Sequence, residues 1–185
     1  MDCYQIKITL MQVRPVVWRS VLAPDTITLS QLHHILQIVM GWEDSHLHRF
    51  VIDRRRTGSK LSRVESQVLN NETVSLRSTV GLLESKFLYY EYDFGDGWIH
   101  ELQVEKASPP TGAQRVLCIG GERCCPPEDC GGAIGYGELL QVLRNPRHSD
   151  YEEMLEWVGG SFDPEMFDLK SMNKNLRRLR IGALG

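Results

Sequence analysis

Three features of this sequence predict an α+β fold. Strand-like patterns dominate its first half, helix-like patterns close its end, and the two do not alternate as strand–helix–strand units. The expected architecture is a small, twisted, mainly antiparallel sheet with packed helices, in a single domain spanning residues 1–185. A chain of 185 residues fits one domain, and at that size about two-thirds of the unfolded surface is buried without a covalent staple. Hydrophobic residues at 42% and charged residues at 24% give the ordinary globular balance, which argues against disorder.

The elements follow in order. Tyr4 to Met11 alternates Ile6, Ile8 and Leu10 with Gln5, Lys7 and Thr9, the period of a half-buried strand. Pro15 limits it, and Val16-Val17-Trp18 resumes extended structure. Thr28 or Ser30 caps a helix whose Leu29, Leu32, Ile35, Leu36, Val39 and Met40 form an apolar stripe, with Gly41 as its stop. His33 lies at the edge of that stripe and His34 opposite. His46 to Ile52 reads as a second strand, and Arg54 to Asn71 as a polar, aperiodic loop. Phe87–Asp93 and Trp98–Lys106, joined by Phe94-Gly95-Asp96-Gly97, read as a β-hairpin. A Pro/Gly/Cys loop is expected from Ala107 to Gly135. Helices are expected at about Gly137–Leu143, Asp150–Val158 and Pro164–Arg180, the last capped by Asp163 with Pro164 at its first position.

Charge limits the classes of function. The net charge of -3 gives no overall attraction to phosphate, so nucleic acid is not favoured as a partner. The distribution is uneven, however. Between His48 and Arg63 six Lys/Arg face one acid, Asp53; Asp150 to Asp168 carries seven acids and no base. Arg54, Arg55 and Arg56, together with Lys174, Arg177 and Arg178 on one face of the last helix, are the candidate nucleic-acid contacts. A solvated outer face and a helix C-terminal dipole account for the same residues. The opening MDCYQIKITL lacks the pattern of an export signal, and no apolar run reaches the length of a membrane span, so a cytoplasmic protein with no membrane partner is expected.

Polar chemistry gathers in three stretches. His46 and His48 would share one face of a strand and present two nitrogens to one metal, although Phe50 continues that face as core. Asp93, Asp96 and His100 flank the hairpin turn, where two carboxylates and an imidazole can hold a cation or share acid–base work; turn chemistry and core packing explain them equally. Pro126-Pro127-Glu128-Asp129 is a stiff segment able to hold two acids toward a cleft. Cys118, Cys124, Cys125 and Cys130 lie within 13 residues. Cys118, Cys125 and Cys130 are candidate ligands for zinc or another divalent metal, against a reading as packed thiols. There is no P-loop, dinucleotide glycine fingerprint, H-E-x-x-H or G-x-S-x-G.

Four stretches, PVVWRSVLAPDTITLSQLHHILQIVMGW, HLHRF, YEYDFGDGWIH and CPPEDCGGAIGY, resemble in this order the plasmid pRiA (Ri plasmid) ORF-three-like family, also labelled insertion-element passenger proteins. The resemblance runs from Tyr4 to about Leu176. It implies an α+β fold and an association with plasmids or mobile elements, and it carries no activity. Residues 54–71 and Cys124 match nothing in the pattern.

The leading expectation is a non-enzymatic accessory or binding domain. Its polar cleft draws His46, His48, Asp93, Asp96, His100, Glu128 and Asp129 to one edge of the sheet. The alternative is a metal-dependent hydrolase acting on phosphoesters, with Glu128 or Asp129 as base. A third is a nucleic-acid-binding accessory protein.

Overall fold

The computed structural model describes residues 2–53, 66–69, 74–83, 85–108 and 115–179. Its elements run β1 (Cys3–Leu10), β2 (Trp18–Pro24), α1 (Leu29–Met40), β3 (His48–Asp53), β4 (Ser66–Leu69), α2 (Leu76–Leu82), β5 (Phe87–Tyr92), β6 (Trp98–Ala107), β7 (Leu117–Glu122), α3 (Gly132–Leu143), α4 (Tyr151–Trp157) and α5 (Leu169–Leu176). The seven strands form one sheet in the order β4-β3-β5-β6-β1-β2-β7, and every pairing is antiparallel. The fold is α+β, as the pattern of elements predicts.

One face of the sheet is core. In β1, Ile6, Ile8 and Leu10 are wholly buried while Gln5 and Lys7 face solvent. Each such side chain contributes about 1.5–3 kcal/mol on leaving water. The register lays these positions in rows across the sheet. One row runs Leu69–Phe50–Tyr90–His100–Leu10, and the next, toward the β5–β6 turn, runs His48–Tyr92–Trp98. Helix α1 buries its own stripe, and His33 and Gln37 lie on that buried side. Thr28 caps α1 through a reciprocal bond with Gln31, and Gly41 ends it at a φ of 80°. The last row therefore has aromatic bodies in the core and polar tips beneath the α1–β3 connection.

The structure departs from the sequence reading in several places. Residues 66–69, expected in a loop, form edge strand β4. Helix α2 has no counterpart in that reading, and α3 starts at Gly132 rather than near Gly137. β7 lies inside the expected Pro/Gly/Cys loop. Its glycines serve close approach, because a Cβ on Gly121 would meet the Phe167 ring at 2.6 Å and Trp18 O at 2.8 Å. The last helix starts at Leu169, capped by Asp168, and not at Pro164. Phe162 against Tyr136 and Phe167 against Arg19 hold the intervening segment out of helix, so packing overrides the Asp163-Pro164 signal.

Candidate functional site

Three connections meet at the turn end of the sheet: residues 41–47 between α1 and β3, residues 93–97 between β5 and β6, and residues 126–131 before α3. Each is tied to the others. Asp93 N–H donates to Leu47 O at 2.9 Å, joining the first to the second. Gly131 N–H donates to Asp96 Oδ2 at 3.1 Å, joining the third to the second. Trp42 stacks on Tyr92 and donates its Nε1–H to Pro126 O at 2.9 Å. Glu128 completes the frame. Its Oε1 accepts from the Tyr92 hydroxyl at 2.5 Å and from Glu43 N at 3.3 Å, and its Oε2 accepts from Ser45 Oγ at 3.2 Å. Burial and the neighbouring Glu128 push the Tyr92 phenol up to about 12, so it remains a donor at neutral pH. Gly132, at a φ of 68°, fits where a Cβ would lie 2.5 Å from Asp96 O.

Inside this frame the structure separates two histidine–carboxylate groups, each with ligand-type atoms within 4.8 Å of one another: His33, Asp44 and His48, and His46, Asp93 and Asp129. The first is a closed network. Burial foremost, and then the neighbouring His48, hold the His33 imidazole down to about 4, so it is neutral at physiological pH. A neutral ring carries one N–H, and a carboxylate can only accept. The arrangement is thus fixed: His33 Nε2–H donates to Asp44 Oδ1 at 2.8 Å, and Nδ1 accepts from the Tyr90 hydroxyl at 2.8 Å. Gln37 closes the ring by donating to Tyr90 Oη at 3.0 Å and accepting from Asp44 N–H at 3.0 Å. The His48 ring stacks on His33 with centroids 3.5 Å apart and planes within 6°. Burial lowers the His48 pKa too, which suits a face-to-face pair that two charges would disrupt.

The second group is gathered but not bonded. His46 is about a quarter exposed, with Nδ1 3.8 Å from Asp93 Oδ1 and Nε2 3.2 Å from Asp129 Oδ1. Neither nitrogen has a hydrogen bond aligned with those oxygens, and Nε2 is shielded from solvent. Asp93 Oδ1 accepts from Gly95 N at 2.9 Å and Asp96 N at 3.3 Å, which fixes its direction. Asp129 is 72% exposed and forms the open side. Asp44, Asp93 and Asp129 all hold left-handed backbone, at φ of 60°, 53° and 58°. Aspartate tolerates this region better than most residues, and such positions concentrate where a side chain must be aimed.

The sequence-predicted cleft is thereby divided. His46, Asp93, Asp96, Glu128 and Asp129 do converge from distant segments. His46 and His48 do not present their nitrogens to one site, because β3 begins only at His48 and His46 belongs to the preceding connection. His100 is a core residue: it is wholly buried, packs edge-on to Trp42, and its Nδ1 lies 3.2 Å from Tyr90 O. The three candidate thiols are directed to different partners. Cys118 is in β7 with its Sγ toward Gly120 O, Cys125 accepts from Arg19 beside Met40 Sδ, and Cys130 faces Gly132 O. Burial raises the pKa of all three, keeping them as thiols, and no ligand-type group among the described residues contains a cysteine. Arg54, Arg55 and Arg56 lie outside the described residues. Arg177 and Arg178 follow the end of α5 rather than extending its face, and Lys174 occupies its last turn. The reading from sequence missed Asp44, Gln37 and Tyr90 as site residues; the alternation Leu88, Tyr90, Tyr92 toward the core was the available signal.

Comparison with known proteins gives one consistent answer. A family model described as plasmid pRiA4b ORF-3-like protein matches residues 2–171. The chain is 39% identical over 173 residues to the protein of Sinorhizobium fredii called Uncharacterized protein y4hQ, covering 92% of this chain and 88% of that one. It is also similar to a crystal structure of a protein of unknown function, MM3350, from Methanosarcina mazei Go1, with a TM-score of 0.81 and 34% identity over 92% of this chain and 97% of that one. No helix among the described residues is long and apolar enough to cross a membrane.

Proposed function

The chain belongs to the plasmid pRiA4b ORF-3-like family, and from that premise we propose that it is a mobile-element-associated binding domain that holds one divalent cation between His46, Asp93 and Asp129. The observation that carries this reading is the convergence of those three side chains from three separate connections, with no hydrogen bond between the His46 ring and either carboxylate. An imidazole and two carboxylates suit zinc or manganese. Three protein ligands with one open side leave room for an anionic group of a ligand, such as a carboxylate or phosphate. The frame around Glu128 supplies the supporting hydrogen bonds that hold ligands in place before the ion arrives.

Binding is favoured over hydrolysis of a phosphoester. A hydrolase needs a base beside the ion, and Glu128 has both oxygens engaged by Tyr92, Glu43 and Ser45 while Asp129 serves as a ligand. The His33 nitrogens are likewise both used. Nucleic-acid binding rests on Arg54, Arg55 and Arg56, which lie outside the described residues, and on Lys174, Arg177 and Arg178, and gains no support from the site.

The test is titration of chelator-stripped protein with zinc and with manganese by calorimetry, alongside His46→Ala, Asp129→Asn and Cys118→Ser. One bound equivalent is expected, weakened at least tenfold by the first two substitutions and unchanged by the third. Equal uptake by all four proteins would overturn the assignment.

A further inference from the structure

A groove of about 340 Å³ lies between α3 and α4, separate from the His46 group except that Asp129 borders both. Its apolar wall is Leu139, Val142, Met154 and the indole of Trp157. Its charged lining is Asp129, Glu138 and Asp150, with no Lys or Arg. Trp157 leaves 47% of its surface open, whereas Trp42 and Trp98 are buried. The Glu138 side chain makes no hydrogen bond or ion pair among the described residues. Of the acids in residues 150–168 only Asp150 lines the groove, where it accepts from Ser149 Oγ at 2.8 Å with His148 Nδ1 3.9 Å away; α4 adds Glu152, Glu153 and Glu156, and the α3–α4 connection carries Arg144 and Arg147.

These features together specify an organic cation with an apolar stem. An aromatic face open to solvent attracts an ammonium group, and an aliphatic floor accepts methylenes. A hydrated metal ion would gain nothing from that floor. A single ammonium would leave most of the carboxylates unneutralised. We propose that the groove binds a free aliphatic polyamine, with its methylenes on Leu139, Val142 and Met154 and its ammonium groups at Glu138, Asp150 and the Trp157 ring. This inference is independent of the cation reading for His46.

Spermidine titrated into the metal-free, full-length protein, followed by calorimetry and tryptophan fluorescence, tests it. Saturable one-to-one binding is expected, tighter than that of butylamine or of a blocked lysine amide. Trp157→Ala should weaken it about two- to fivefold, as loss of an exposed cation–π contact does. Glu138→Gln should weaken it by up to about fivefold. Both side chains are exposed, so both variants are expected to keep the wild-type melting temperature. His46→Ala should leave spermidine binding intact, which separates this site from the metal site. No saturation, wild-type affinity in both variants, or equal affinity for butylamine would overturn the proposal; tighter binding of the lysine amide would assign the groove to a basic protein partner instead.

Discussion

His46 and His48 are two positions apart, yet they end in opposite environments. His48 stacks on a histidine whose two nitrogens are both bonded, within a ring of Asp44, Tyr90 and Gln37. His46 sits between two carboxylates with no aligned hydrogen bond to either. Both groups contain histidine and aspartate at ligand-like separations. Proximity alone therefore does not distinguish a receptor from a brace. The distinction lies in whether the polar atoms already satisfy one another, since a closed network must be broken to admit a ligand and an open one need not be.

The widest contrast between the two regions should appear in acid. The folded His33 and His100 imidazoles take a proton only near pH 4, against 6.5 for an unperturbed ring. Between those values the unfolded chain binds more protons than the native one, so stability is full above about pH 7 and falls as the pH drops from 6.5 toward 4. The loss is roughly 3 kcal/mol for each histidine at the low end. Urea unfolding at several pH values should show this slope, to which His48 also contributes, and His33→Gln should flatten it. A slope unaltered in that variant would mean that burial does not keep His33 neutral in the folded protein.

At constant neutral pH the next largest effect is expected from His33→Ala. It removes a packed ring and leaves the Tyr90 hydroxyl short of an acceptor, a loss of about 2–3 kcal/mol. Gly132→Ala follows, at about 1–2 kcal/mol, because it combines a positive φ with contact on Asp96 O. Its informative readout is cation affinity. If the connection before α3 must sit on the hairpin turn to aim Asp129, affinity falls as well; unchanged affinity would detach the frame from the site.

The degree to which this was legible in the sequence follows the range of the interactions. The hairpin, β1 and α1 announce themselves through local period and caps, and Thr28 and Gly41 do what their residue types predict. β7 was hidden because Gly120 and Gly121 read as loop formers, while the structure uses Gly121 to admit Phe167 from nearly fifty positions away, as the numbering alone shows. The same holds in the site. Asp93 and Asp129 could be picked as polar residues in a turn and a loop, but His46 was read on a strand with His48, and nothing local separates the two; that depends on where β3 starts and on Tyr90 and Gln37, which are long-range partners. His100 shows the converse: the sequence reading drew it into the cleft, although its alternation with Leu102 and Val104 fits the core position it holds.

The smallest expected effect is also the sharpest test of the comparison. In the absence of metal, His46→Ala should change unfolding free energy by no more than about 1 kcal/mol, since the ring packs edge-on to Tyr92 but closes no polar network. Its ring makes no aligned hydrogen bond, and the site around it is framed by Glu128 and Tyr92 rather than by His46 itself. Saturating cation should then separate the proteins. A ligand bound only by the native state stabilises it by about 2.7 kcal/mol at a hundred times the dissociation constant, so the wild type should gain on that order and His46→Ala almost nothing. The His33 variants, though weaker at the outset, should gain as much as the wild type. If His46→Ala were as damaging as His33→Ala without metal, the two regions would both be braces, and the case for a receptor at His46 would fail on stability data alone.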